Sequence, residues 1–534
     1  MLSIRSVASR RIAEPPDSLV AKATTMKCLY LGICLFAVPA TIRLASDFTH
    51  SLTSQKELIQ TALDIQGNEI TDATRDPAAK GLNSAAAEDA SGQAMTAGTE
   101  NAESQCETEA VSTRIAEEPE SNSFVSAIKN SPSVRHHASQ HETMITPGNF
   151  EYLGAVRPPH IAQNGTGFAY GGWGVAYRAD GDPNGPDDGC PGSLFLVGHQ
   201  SHQMVAEISI PAPVNSKYQR ADELPVAEIL QPFNDITDGL LEEMTDGSSE
   251  HFRLGGLLVT DNQLHWTMFK YYNVANIDYL SHGTSGLDMK SAPVEGPWHL
   301  GPMNSRRPEW NSYKHAGYIF EIPPAEATQW FGGRNLISGL QISTGLQASS
   351  QGPAMFAYSL PPEGTPRGAC LSAIPLVWYS EQEPITRHHP SDRWTGGAWL
   401  TLGNKQAVVI VGRKALGEFY YGEARPQDCN QDKGYHGPPY EVEMFFYSPA
   451  SLIHAANGAL PAQGLSPWMR WDCLSEGGGL NQYMFDTCGK HVGGLAYDRH
   501  RNLLYLVQVD AGTTSDNEYE PLPVIHVFRI TDRN

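Results

Sequence analysis

Signatures of dedicated chemistry are what this 534-residue sequence lacks. No Cys-x-x-Cys pair and no Cys/His zinc spacing occurs, which excludes the common structural zinc modules. The serine of "GTSGL" (283–287) stands off the Gly-x-Ser-x-Gly spacing, so no nucleophile elbow is written there. Positive charge is scarce: 37 Lys+Arg stand against 59 Asp+Glu, a formal net charge of −22. That balance argues against nucleic acid and anionic membranes as general partners, and it leaves room for a local basic patch. Long hydrophobic runs are also missing. The best, "MKCLYLGICLFAVPA" (26–40), falls short of the about 20 residues that a membrane-crossing helix needs.

That run has the form of a secretory h-region. Lys27 precedes it, Arg43 follows it, and Val38-Pro39-Ala40 offers a small-residue cleavage site. Residues 1–45 therefore read as a signal-peptide region, with Met26 as a candidate start. An uncleaved N-terminal anchor is the alternative, and the one membrane contact expected. Residues 46–147 are rich in Ala, Ser, Thr, Glu and Gln and poor in aromatics. Such a segment buries too little apolar surface to offset chain entropy, so it reads as a disordered spacer. The expected location is outside the cytoplasm: periplasm, cell surface or medium. Disulfides are allowed there. Of the eight cysteines, Cys190, Cys370, Cys429, Cys473 and Cys488 lie beyond the spacer. Cys473 and Cys488 are close enough in sequence to bridge, although spacing alone does not set connectivity.

From about residue 148 the character changes. The sequence carries 50 Gly and 37 Pro, which suits a turn-rich β protein. Gly-Gly pairs stand just before apolar runs at 171, 255, 332, 396 and 493. Second runs follow, as in "SLFLVGHQ", "QLHWTMFKYY", "QAVVIVGRK" and "NLLYLVQ". Third runs come next, as in "QMVAEISIP", "PAMFAYSLP", "EVEMFFYSP" and "VIHVFRI". "VAEILQPF", "IPLVWYS" and "WMRWDCL" are candidate fourth strands. A four-stranded unit repeated around an axis is a β-propeller blade. The expectation is an all-β domain over 148–534: a β-propeller of five four-stranded blades. The chain ends after "VIHVFRI", so "GNFEYLGAV" (148–156) is expected to supply the last blade's fourth strand. A β-sandwich with irregular hairpins is the alternative.

These runs, with "YGE…DKGYHGPPYEVEMFFYSP" and "GGLAYDRHRNLLYLVQ…PVIHVFRI", resemble a group of exported bacterial propeller-like proteins. The resemblance covers most of 150–530. It implies an exported β-rich fold and brings no activity. It also implies a short turn between the first two strands of blade one, where this chain has an acidic insertion.

That insertion is "DGDPNGPDDG" (180–189). Asp180, Asp182, Asn184 and Asp188 alternate like the ligands of a calcium loop, and Gly185 allows a sharp turn. Pro191 stands where an EF-hand places its bidentate Glu. The pattern is closer to the Asp-rich hairpin loops of integrin α propellers. The expectation is a structural Ca2+; the alternative is a solvated acidic turn.

In a propeller, turns between first and second strands lie on one rim. Turns between second and third strands, and the segments leading into each blade, lie on the other. The second-to-third turns offer His199, Gln200, Tyr271, Tyr272, Ser349, Arg413 and Lys414. The lead-in segments offer His251, Arg253, His389, Arg393, Lys490 and His491. These thirteen residues include no carboxylate. A basic, His-rich mouth would focus an anion by its field and by direct pairing. The expectation is a binding or scaffolding module for an anionic extracellular ligand, such as an acidic polysaccharide, with His199, Tyr271, Arg393, Arg413, Lys414 and His491 as contacts. The alternative is a hydrolase or lyase in which the same histidines hold a transition metal. His199 and His202 would point to opposite faces if their strand continued, which disfavours joint ligation.

Overall fold

A computed structural model describes residues 143–532, apart from 183–188, 245–250, 272, 274–276, 292, 341–348, 427, 430–432 and 516. The expected signal region, the spacer up to 142, and Asn184, Asp188 and Tyr272 lie outside the described residues. Strands β1 (Thr143–Met144) and β2 (Phe150–Val156) come first. Blade one is β3 (Val175–Arg178), β4 (Gly189–Val197), β5 (Val205–Pro211) and β6 (Ile229–Asn234). Blade two is β7 (Phe252–Thr260), β8 (Gln263–Lys270), β9 (His282–Gly286) and β10 (Val294–Leu300). Blade three is β11 (Tyr318–Glu321), β12 (Leu336–Gly339), β13 (Met355–Tyr358) and, after the short β14 (Cys370–Leu371), β15 (Ala373–Val377). Blade four begins with β16 (Arg393–Leu402) and β17 (Lys405–Ala415). A separate hairpin of β18 (Tyr420–Gly422) and β19 (Gly434–His436) intervenes before β20 (Tyr440–Tyr447) and β21 (Met469–Trp471). Blade five is β22 (Val492–Asp498), β23 (Leu503–Thr514) and β24 (Asn517–Ile530), completed by β2.

The first strand of each blade neighbours that of the next: β3 with β7, β7 with β11, β11 with β16, β16 with β22, and β22 with β3. The ring is thus closed, and the fold is the expected five-bladed propeller. The N-terminal strand closes it as expected: β2 runs antiparallel to β24, with Phe150 opposite Ile530 and Val156 opposite Ile525.

The Gly-Gly register has a steric cause. Five inner strands converge on one axis, so their backbones crowd. A Cβ on Gly494 would stand 2.6 Å from the Val175 nitrogen of the next blade, and one on Gly256 would overlap the Ile319 nitrogen. Gly256→Val is therefore expected to lower unfolding stability by about 2–3 kcal/mol. Urea denaturation reads this directly; an unchanged midpoint would rule out the crowding account. The pair at 332 has a different cause. Gly332 and Gly333 follow the helix Pro324–Trp330 with φ of 63° and 83°. Such left-handed backbone ends helices and favours glycine. They precede the second strand of blade three. Its inner strand is β11, led by Ala316-Gly317.

Each of the five seams between blades holds its own buried apolar cluster. The seam between blades two and three also buries His282, His299 and His315. The disulfide between described residues differs from the pairing the spacing suggested. Cys488 bridges Cys429, with Cα atoms 5.2 Å apart, and Cys473 is a free thiol. The loop after β18 brings Cys429 over the segment leading into blade five, so a residue remote in sequence is the nearer partner.

Candidate functional site

The second rim carries a basic mouth at the propeller axis. Arg253 and Arg393 open the inner strands β7 and β16, just before the crowded glycines. Arg413 lies directly opposite Arg393 in the β16–β17 register. Trp173 comes from the segment leading into blade one, and Tyr271 from the turn after β8. The guanidinium of Arg393 lies 4.9 Å from the Trp173 ring centroid and 5.4 Å from that of Tyr271. Arg253 lies 5.2 Å from the Tyr271 centroid. Cations and rings thus alternate as Trp173, Arg393, Tyr271, Arg253. Arg413 sits 4.3 Å from the Tyr440 ring and donates from Nη1 to His491 Nε2.

His491 Nδ1 faces Asp510 Oδ2 at 3.4 Å. That pattern places the imidazole proton on Nδ1. Burial, and then the charge of Arg413, push the His491 pKa down to about 4, so the ring is neutral at pH 7. Burial also lowers Arg393, to about 10, with Arg413 and Arg253 adding repulsion. Arg393 still carries its charge at neutral pH. Among the described residues neither Arg253 nor Arg393 has a carboxylate partner. A cavity of about 40 Å³ opens between them, lined also by Trp173, Gln200, Gln203 and Trp394.

Backbone strain concentrates on the same rim. Among the described residues, apart from Asn and Asp, the non-glycine residues at positive φ are Tyr170, Gln203, Gln219, Ala316, Arg387 and Lys490. All but Gln219 belong to this rim. Such conformations cost about 1–3 kcal/mol each and persist where the surroundings enforce them, often at ligand sites.

The structure therefore brings together Tyr271, Arg393, Arg413 and His491. It places His199 and Lys414 differently. His199 packs against Tyr170 and His202, at ring distances of 5.5 and 4.9 Å. The strand ends at Val197, so the turn sets both histidines on one side. Lys414 is buried, and its Nζ donates to both Asp392 oxygens at 3.0 and 3.1 Å. Its charge is neutralised inside blade four. Asp392 and Asp510 are the carboxylates that a choice of turn residues passed over. Trp173 was missed as well, although a tryptophan inside "GGWG" at the crowded axis is a legible signal.

The described start of the acidic loop, Asp180 to Asp182, follows β3 on the first rim. Arg178 pairs with Asp180 at 3.2 Å and with Glu207 at 3.3 Å, and Asp182 is buried. A larger cavity of about 520 Å³ opens here, walled by residues such as Val175, Leu257, Ile319, Gly397 and Leu495 from the five inner strands. Asp180, Asp261, Glu321 and Asp498 ring it, and Arg499 faces Glu321 at 3.9 Å. Among the described residues, no three His, Cys, Asp or Glu side chains are grouped to hold a metal ion.

Comparison with family models finds no match, and comparison with curated proteins finds none. The family resemblance thus rests on the blade motifs alone. Similar solved structures include a glycosyl hydrolase from Bacteroides ovatus, 11% identical with a TM-score of 0.34, over 72% of this chain and 96% of that one. Another is the PQQ-bound aldose sugar dehydrogenase from Streptomyces coelicolor, 12% identical with a TM-score of 0.28, over 71% and 98%. A third is a luciferin-regenerating enzyme, 9% identical with a TM-score of 0.26, over 65% and 75%. Likenesses this distant assign nothing to this chain.

Proposed function

We propose that this propeller is a binding or scaffolding module that takes an anionic ligand at the basic mouth. The observation that carries the reading is the convergence of Arg253 and Arg393 on one cavity without a carboxylate partner. Half-buried like charges repel, and an anion between them would relieve that repulsion with charge-assisted hydrogen bonds. The ring ladder holds both guanidiniums in place, so little ordering is left for the ligand to supply. Acidic polysaccharide outside the cytoplasm is the ligand class that suits an exported chain, and the Cys429–Cys488 bridge supports an oxidising compartment. Calcium at the acidic loop would then be a structural ion on the far rim. The metal-assisted hydrolase or lyase would need several imidazoles in one group; His199 and His202, with rings 4.9 Å apart, are a pair that packs beside Tyr170.

Inorganic sulfate is the simplest probe. Its binding is expected to perturb tryptophan fluorescence through Trp173. Arg393→Gln is expected to weaken it at least about tenfold, the worth of one charged hydrogen bond. Arg393→Lys should not restore it, because an ammonium lacks the planar fork. Equal sulfate affinity in Arg393→Gln would refute this reading.

A further inference from the structure

The connection from β17 to β20 rises from the rim as the β18–β19 hairpin, with Tyr421 opposite Tyr435. Twelve large apolar side chains are exposed among the described residues, and Leu416, Phe419 and Tyr421 fall within six consecutive positions. Phe419 and Tyr421 are 43% and 54% exposed. Tyr435 lies between them: its ring stacks on Phe419 at 5.6 Å and meets Tyr421 at 4.9 Å. Concentrated apolar exposure of this kind marks an interaction surface. The strip is held firmly. His436 stacks on Tyr420 at 4.8 Å, and the Cys429–Cys488 bridge ties the hairpin loop to the segment leading into blade five.

The strip also runs into the basic mouth. The Phe419 ring meets His389 at 5.9 Å. His389 Nδ1 accepts from the Ser391 nitrogen at 3.0 Å, and the Ser391 carbonyl accepts from Arg413 Nη2 at 3.3 Å. The mouth cavity, at about 40 Å³, has room for one small charged group; a single water occupies about 30 Å³ in the liquid. The body of any larger ligand must stay on the rim. A sugar ring offers an apolar C–H face and a hydroxylated edge. Fixed aromatic faces bordered by phenol hydroxyls complement both.

We infer that the β18–β19 hairpin is a stacking platform for sugar rings, so that the rim takes an acidic oligosaccharide: the pendant anion enters the mouth and the ring lies on Phe419, Tyr435 and Tyr421. This rests on the anion-binding reading and adds the chemistry that carries the charge. The anion is a carboxylate or a sulfate on the sugar, and the probes separate the two.

The test uses the full chain and four probes: inorganic sulfate, a trigalacturonate, a sulfated trisaccharide and a short poly-glutamate. Calorimetry compares the native protein with Phe419→Ala/Tyr421→Ala and with Arg393→Gln. Both altered side chains of the hairpin variant are surface groups, and an unchanged melting temperature verifies its fold. One saccharide is expected to bind at least tenfold more tightly than sulfate. The hairpin variant should lose about tenfold for that saccharide and keep its sulfate affinity within twofold, while Arg393→Gln weakens both. Sulfate binding with no hairpin effect on either saccharide would overturn the platform and leave the anion site standing. Poly-glutamate that binds as tightly and depends equally on the hairpin would also overturn it, in favour of an acidic protein partner. Failure of all four probes to bind the native protein would sink both readings.

Discussion

Acidification from pH 7 to pH 5 is expected to unfold the propeller cooperatively. His265, His282 and His526 are buried, and burial holds each pKa down to about 3. His282 is fixed as a neutral ring between the hydroxyls of Ser281 and Ser338, each at 2.9 Å, with His315 at 5.6 Å across the seam. His315 in turn meets His299 at 5.9 Å, so a proton on one ring would be repelled by charge on the others. His526 lies between the Tyr152 hydroxyl and Gln508 Oε1, both at 3.0 Å. The folded pKa values lie below the unfolded value of about 6.5, so the unfolded chain takes up protons first. The stability these groups contribute is present above that value and is lost as pH falls toward 3. At pH 5 each such histidine removes about 2 kcal/mol, or about 6 kcal/mol for the three. A domain's whole stability is about 5–15 kcal/mol. Glu443, whose carboxyl burial pushes up to about 7, and Asp392, which burial also raises, oppose them, but the three buried histidines outnumber them. Tryptophan fluorescence and near-UV circular dichroism from pH 8 to pH 3 should show one transition near pH 5, with uptake of at least two protons. A native spectrum retained at pH 4 would falsify the account.

The propeller was legible in sequence because its packing leaves a periodic mark. Inner strands crowd, so glycines recur before them, and buried strands read as continuous apolar runs. Where those causes weaken, legibility failed. Blade three meets the crowded axis through Ala316-Gly317, while a stronger Gly-Gly signal at 332 belonged to a helix end. The outer strands of blade two, "HGTSG" and "VEGPWHL", went unread. Their seam is partly polar, with buried His282 and His299 in place of aliphatics, so no apolar run announces them. The site followed the same logic. Rim assignment follows from strand order alone, which placed Arg393, Arg413, Tyr271 and His491 on one face. Pairing does not. Lys414 faces Asp392 across a buried turn, 22 residues away in sequence, and no periodicity encodes that. The way Trp173 and Arg253 join Arg393 and Tyr271 in one ring ladder was not legible, because it needs three blades to be closed around one axis.

A chain beginning at residue 157 is expected not to fold as a monomeric propeller. β2 supplies the only covering strand on the outer edge of β24 among the described residues, along the register from Phe150 opposite Ile530 to Val156 opposite Ile525. Phe150 also fills the seam between blades four and five, with ring distances of 5.2 Å to Trp471, 5.9 Å to Phe446 and 6.2 Å to Phe528. Phe150 and Val156 are buried, and burying each stabilises by about 1.5–3 kcal/mol. The lost ladder adds to this, and an exposed β24 edge invites pairing between chains. β1 reinforces the closure from the same segment by pairing Thr143 with Lys405 of blade four. A chain beginning at residue 143 should therefore keep the melting temperature of the full protein, while one beginning at 157 should aggregate or show no native near-UV signal. A peptide of residues 143–160 added during refolding should restore monomer, because the closure is hydrogen bonding and packing with no covalent link. If the chain from 157 refolds alone with an unchanged melting temperature, the ring is held by its five seams and the closing strand is dispensable.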